Sequence, residues 1–108
     1  MKNEWLYIEH MLESTEKILF YTKDVEFEEF ANSEMMQDAV IRQFQVIGQA
    51  ARQLSRDMIA KLPEIEWPRI IGMRNKLVHE YFDVDLKAVW GTIREDLPAL
   101  REQLKNAL

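Results

Sequence analysis

The run from Glu34 to Lys61 constrains this chain most, because Val40, Phe44, Ile47, Ala51, Leu54 and Met58 recur at alternating steps of three and four for nearly three heptads. That period is helical, and Ile41, Val46 and Ala50 widen it into an apolar face rather than a narrow seam. Gly48 lies inside the run, where glycine costs about 1 kcal/mol relative to alanine. Beside Ala50 and Ala51, its use is expected to be a close helix-helix contact. Asn32 and Ser33 precede the run as cap candidates.

The same period recurs on either side. From about Lys2 to Lys23 the apolar or near-apolar positions are Trp5, Ile8, Leu12, Thr15 and Leu19, with Met11 and Ile18 beside them. Phe27 and Phe30, three apart among acids, predict one short helical turn or two. Pro63 stops the central helix, and Pro68 sits where the first turn of a new helix tolerates it. Ile70, Met73 or Arg74, Leu77 and Tyr81 carry that helix to about Phe82. Asp83 or Asp85 can cap a last helix presenting Leu86, Val89, Ile93, Leu97, Leu100 and Leu104. Pro98 predicts a kink in it, since proline removes a backbone donor and crowds the carbonyl four residues back.

Three glycines and three prolines in 108 residues leave few turns, and no segment reads as a strand. The expected fold is therefore all-α: one domain over 1–108, an antiparallel bundle of four main helices plus a short extra helix. Cysteine is absent, which excludes disulfides, thiolate metal sites and cysteine nucleophiles. The charged N-terminus lacks a signal-peptide core, and no stretch approaches a membrane span, so a cytoplasmic protein is expected.

A net charge of −5 argues against general coating of DNA. The charge is uneven, however: Trp67 to Phe82 holds Arg69, Arg74 and Lys76 against Glu80, so it is +2 and the remainder is −7. Within RNKLVHEY a guanidinium that can fork onto phosphate stands near a histidine that titrates close to neutrality. At 100° per residue, Arg74 and Tyr81 lie about 20° apart around a helix, whereas Arg74 and His79 lie about 140° apart. Either the helix frays or bends before His79, or two chains assemble the site across a dimer axis. Asn75, four residues before His79, lies beneath it.

These residues resemble the R-X4-H-X-Y motif of the HepT-like branch of the HEPN superfamily, with Arg74, His79 and Tyr81 at its defined positions and Asn75 where asparagine often follows the arginine. The resemblance extends through FEEF, DAVIRQFQVIGQAARQLS, PEIEWPRIIGMRN and YFDVDLKAVWGTIREDLPALREQL, nearly the whole chain. It implies a HEPN-like homodimer whose two motifs line one cleft, and a metal-independent endoribonuclease requiring no cofactor. His79 would be general base or acid and Arg74 would stabilise phosphoryl charge, both as catalytic residues. Asn75 would support them by orienting His79 or the phosphate, and Arg69 and Lys76 are candidates for RNA contact. The resemblance further implies a toxin paired with a minimal nucleotidyltransferase antitoxin of the MntA type, with Tyr81 as the tyrosine that receives AMP.

Each residue also has a plainer reading. Arg74 can be a surface ion pair, His79 a hydrogen-bonded structural histidine, and Tyr81 a core tyrosine on the amphipathic stripe. His10 with Glu9 and Glu13, or His79 with Asp83, has ligand-compatible spacing, but two or three groups without further inward carboxylates do not define a metal site. Two other functions compete with the nuclease: a non-catalytic subunit binding nucleotide or a nucleotidyltransferase partner, and a purely structural bundle.

Overall fold

The computed structural model describes residues 3–79 and 83–108, the side chain of residue 79 excepted. Those residues form helices and connecting turns, with no strand among them. In chain order they are α1 (Trp5–Tyr21), α2 (Phe27–Ala31), α3 (Glu34–Arg52), α4 (Arg56–Lys61), α5 (Trp67–His79), α6 (Leu86–Gly91), a π-helical segment (Thr92–Asp96) and α7 (Leu97–Ala107). No helix among the described residues is long and apolar enough to cross a membrane.

The buried face of α1 is centred on Ile8, Met11, Thr15 and Ile18, while Leu12 and Leu19 are half-buried and Trp5 is 38% exposed. Thr15 and Thr22 are fully buried because each hydroxyl donates to the carbonyl four residues back, to Met11 at 2.8 Å and Ile18 at 2.9 Å. Beyond α1 the chain turns through Asp24, whose φ of 59° is left-handed backbone that aspartate tolerates better than most side chains. There Arg94 donates to the carbonyls of Thr22 at 2.6 Å and Val25 at 2.7 Å, and lies 4.4 Å from the centre of the Trp90 ring. The short α2 drives Phe30 fully into the core, its ring 5.1 Å from that of Trp90.

The expected helix from Glu34 to Lys61 is two helices. Ser33 starts the first, its hydroxyl accepting from the Met36 N–H at 3.1 Å. Ser55 interrupts it: its backbone is extended, its hydroxyl caps the Met58 N–H at 3.2 Å, and both its N–H and its hydroxyl donate to the Glu4 carboxylate. Leu54 and Met58 stay buried on either side of the break, which is why the apolar spacing runs through it unmarked. The bundle therefore has two short extra helices, α2 and α4, rather than one. Replacing Ser55 with alanine removes the cap and one of its two bonds to Glu4, and is expected to cost about 1 kcal/mol. A urea midpoint unchanged within error would show that the break needs no cap.

Pro68 occupies the first turn of α5, and the Trp67 indole donates to the Leu62 carbonyl at 3.1 Å. Of the two aspartates considered as caps, Asp85 serves, accepting from the Ala88 N–H at 3.1 Å. The irregularity expected at Pro98 takes the form of the π-helical segment, where the Leu97 N–H reaches back five residues to the Thr92 carbonyl. A wider turn relieves the clash a proline ring makes with the carbonyl four residues back, here that of Arg94.

In the core, α1 packs against α3 and α7, and α3 against α5. This arrangement leaves one side of α5 facing α3 at Gly48, and that contact positions Arg74.

Candidate active site

A Cβ added to Gly48 would overlap the Cβ of Arg74 and stand 2.5 Å from its Cγ. The close approach expected of Gly48 is therefore specific: α3 gives up a side chain where the stem of Arg74 crosses it. Further along, the guanidinium Nη1 donates to the Asn75 side-chain oxygen at 3.1 Å. The Asn75 amide thus contacts Arg74, while the His79 side chain it is expected to orient lies outside the described residues.

Arg74 lines a groove of about 560 Å³ between α1, α3 and α5. Leu77 and Val78 continue the α5 wall one turn on. Arg42, Gln45, Gln49 and Gln53 form the α3 wall, and Tyr7 and His10 face them from α1. Among the described residues, no carboxylate lines it. Two other grooves differ: the one containing Arg69 is rimmed by Glu64, Glu66, Glu95 and Asp96, and the one beside Phe20 by Glu9, Glu13 and Glu16. Among the described residues, no carboxylate pairs with Arg42 or Arg74.

The other expected site residues are placed as follows. α5 is α-helical through His79, so positions 74 and 79 stay about 140° apart around its axis. The side chain of His79 and the whole of Tyr81 lie outside the described residues. Arg69 is on a different side from Arg74, between Glu66 at 3.0 Å and Asp96 at 2.8 Å. Its pKa is raised, first by the hydrogen bond to Glu66 and then by the charge of Asp96. Lys76 is exposed. Among the described residues no group of three or more His, Cys, Asp or Glu is placed to hold a metal ion.

Sequence reasoning missed His10, Arg42 and the three glutamines as members of this groove. Spaced along exposed helix faces, they read as ordinary solvated positions. The available signal was Gln45, Gln49 and Gln53 recurring every four residues behind Arg42, one polar stripe adjoining Gly48.

The model of the family described as "Ribonuclease HepT-like" matches residues 11–107. The chain is similar to the "Probable ribonuclease HepT" of Thermococcus cleftensis, with 39% identity over 93% of this chain and 91% of the other. It is also similar to a protein named "Putative RNase" from Methanocaldococcus jannaschii, 34% identical over 92% of this chain and 91% of that one. A protein of the same name from Caldanaerobacter subterraneus is 35% identical over 100% of this chain and 96% of its own length. No solved structure matches the chain at a significant level. A match that spans α1 to α7 and includes Arg74, His79 and Tyr81 places the protein in the HepT-like ribonuclease family of the HEPN superfamily.

Proposed function

We propose that the protein is a metal-independent endoribonuclease, acting through one HEPN domain that spans 1–108 and pairs with a second copy. The observation that carries the reading is Arg74, its stem packed against Gly48 and its guanidinium bonded to Asn75, in a groove without carboxylates among the described residues. A preorganised cation stabilises charge developing on a phosphoryl group without reorganising during the reaction. His79 accepts the proton of the RNA 2′-hydroxyl as its oxygen attacks the adjacent phosphorus, or donates one to the departing 5′-oxygen. The 2′-O–P bond forms and the P–O5′ bond breaks, leaving a 2′,3′-cyclic phosphate and a 5′-hydroxyl.

Because positions 74 and 79 are well separated around a regular helix, one phosphate is served by Arg74 of one copy and His79 of the other. Lys76 is exposed for RNA contact, while RNA at Arg69 competes with Glu66 and Asp96. The family resemblance supports the rest: a cytoplasmic toxin whose MntA-like nucleotidyltransferase antitoxin transfers AMP to Tyr81. The added phosphate places negative charge beside the motif and repels RNA.

Digestion of RNA in excess chelator is expected to leave cyclic phosphate ends, and sedimentation at micromolar concentration is expected to show a dimer. Activity that vanishes on chelation and returns with magnesium overturns the mechanism. A strictly monomeric active protein overturns the composite site. RNA binding without cleavage would favour the non-catalytic subunit instead.

A further inference from the structure

The groove beside Arg74 extends well beyond one phosphate. Around α3, positions 42, 45, 49 and 53 fall within an arc of about 80°, and Gln45, Gln49 and Gln53 succeed one another at about 6 Å of rise. They form a row of carboxamides headed by a guanidinium, opposite Tyr7 and His10. Arg42, Gln49 and Gln53 are exposed and Gln45 is half-buried. In a chain with 19 acidic residues, the described lining contains two arginines and no acid. The groove is therefore suited to an anionic ligand, and its amides suit one that carries hydrogen-bonding edges.

A carboxamide offers a donor and an acceptor side by side. This matches adenine, whose N6 amino group and N7 can be bonded together by one glutamine. Such edges are open in single-stranded RNA, where unstacked bases can also lie on aromatic rings such as that of Tyr7. Deepening the ribonuclease reading on which it rests, we propose that the groove between α1 and α3 is a base-reading subsite for the single strand flanking the cleaved phosphate. Arg42 holds a neighbouring phosphate, and Gln45 and Gln49 select adenine.

The test uses the intact chain and ten-nucleotide 2′-O-methyl oligomers of A and of U, which lack the attacking hydroxyl, with binding read by fluorescence anisotropy. The A oligomer is expected to bind at least about tenfold tighter than the U oligomer. Gln45→Ala with Gln49→Ala should bring A down to the affinity of U and leave U within about twofold. Arg42→Gln should weaken both oligomers alike and reduce the slope of log affinity against log salt by about 0.7. A wild-type chain that binds the two oligomers equally, or a double variant that keeps the A preference, overturns base reading. Arg42→Gln with unchanged affinity and slope overturns the phosphate contact, and a changed sedimentation coefficient in either variant assigns the groove to a protein interface instead. These failures are distinguishable from failure of the ribonuclease reading. A chain that cleaves RNA while its double variant keeps wild-type base selectivity loses only the subsite, whereas adenine-selective binding without cleavage keeps the subsite and loses the nuclease.

Discussion

Replacing His79 with alanine is expected to lower RNA cleavage by about 10² to 10⁴-fold, the usual contribution of a positioned general acid or base. RNA affinity and sedimentation should stay as in the wild type, because the substitution removes the proton-transfer group and leaves Arg74, Gly48 and the groove intact. On the proposed reading, the companion substitution Tyr81→Phe separates catalysis from its control: phenylalanine keeps the ring and deletes only the hydroxyl proposed to accept AMP. It should retain cleavage and growth arrest yet escape neutralisation by the nucleotidyltransferase. Intact mass of protein co-expressed with that enzyme provides the second readout. If Tyr81→Phe is still neutralised and the wild type gains no mass corresponding to AMP, inhibition works by binding or at another residue. If His79→Ala still cleaves at the wild-type rate, the proton moves elsewhere.

Gly48→Ala is expected to produce the largest loss of stability from the smallest change. The new Cβ meets the Cβ and Cγ of Arg74, next to the backbone of α5, so swinging the end of a flexible side chain cannot make room. The two helices must separate, at about 3 kcal/mol, and better helix propensity recovers only about 1 kcal/mol of that. For a domain of this size the net loss corresponds to roughly 10 °C in melting temperature. Combining Gly48→Ala with Arg74→Gly moves the occupied position from one helix to the other and should recover most of the stability while leaving the chain inactive. Melting curves for the wild type, both single variants and the double variant measure the coupling. A Gly48→Ala chain melting within about 2 °C of the wild type would show that α3 and α5 tolerate separation there.

The four main helices are legible in the sequence because burial on one face imposes its period on the residues. The break at Ser55 is not, because Leu54 and Met58 keep that period across it while the deciding interaction comes from Glu4, 51 residues away. At the site, the close contact at Gly48 was foreseeable from glycine within a strong helical stripe, but its partner depended on how α3 and α5 meet. Arg69 gives a similar contrast: Glu66 lies one turn away and can be anticipated, whereas Asp96 arrives from 27 residues on. The wall of Arg42 and glutamines escaped notice because a polar stripe becomes a groove only once α1 stands opposite it.

The pairing of α1 with α7 bears on how the protein is made. Glu16 and Arg101 meet at 3.3 Å across a separation of 85 residues, and Arg94 bonds carbonyls at the end of α1. On the ribosome, where synthesis proceeds at about 5–20 residues per second, α1 cannot complete its packing until α7 has left the exit tunnel. The bundle is therefore closed only once α1 and α7, the described helices made farthest apart in time, have come together.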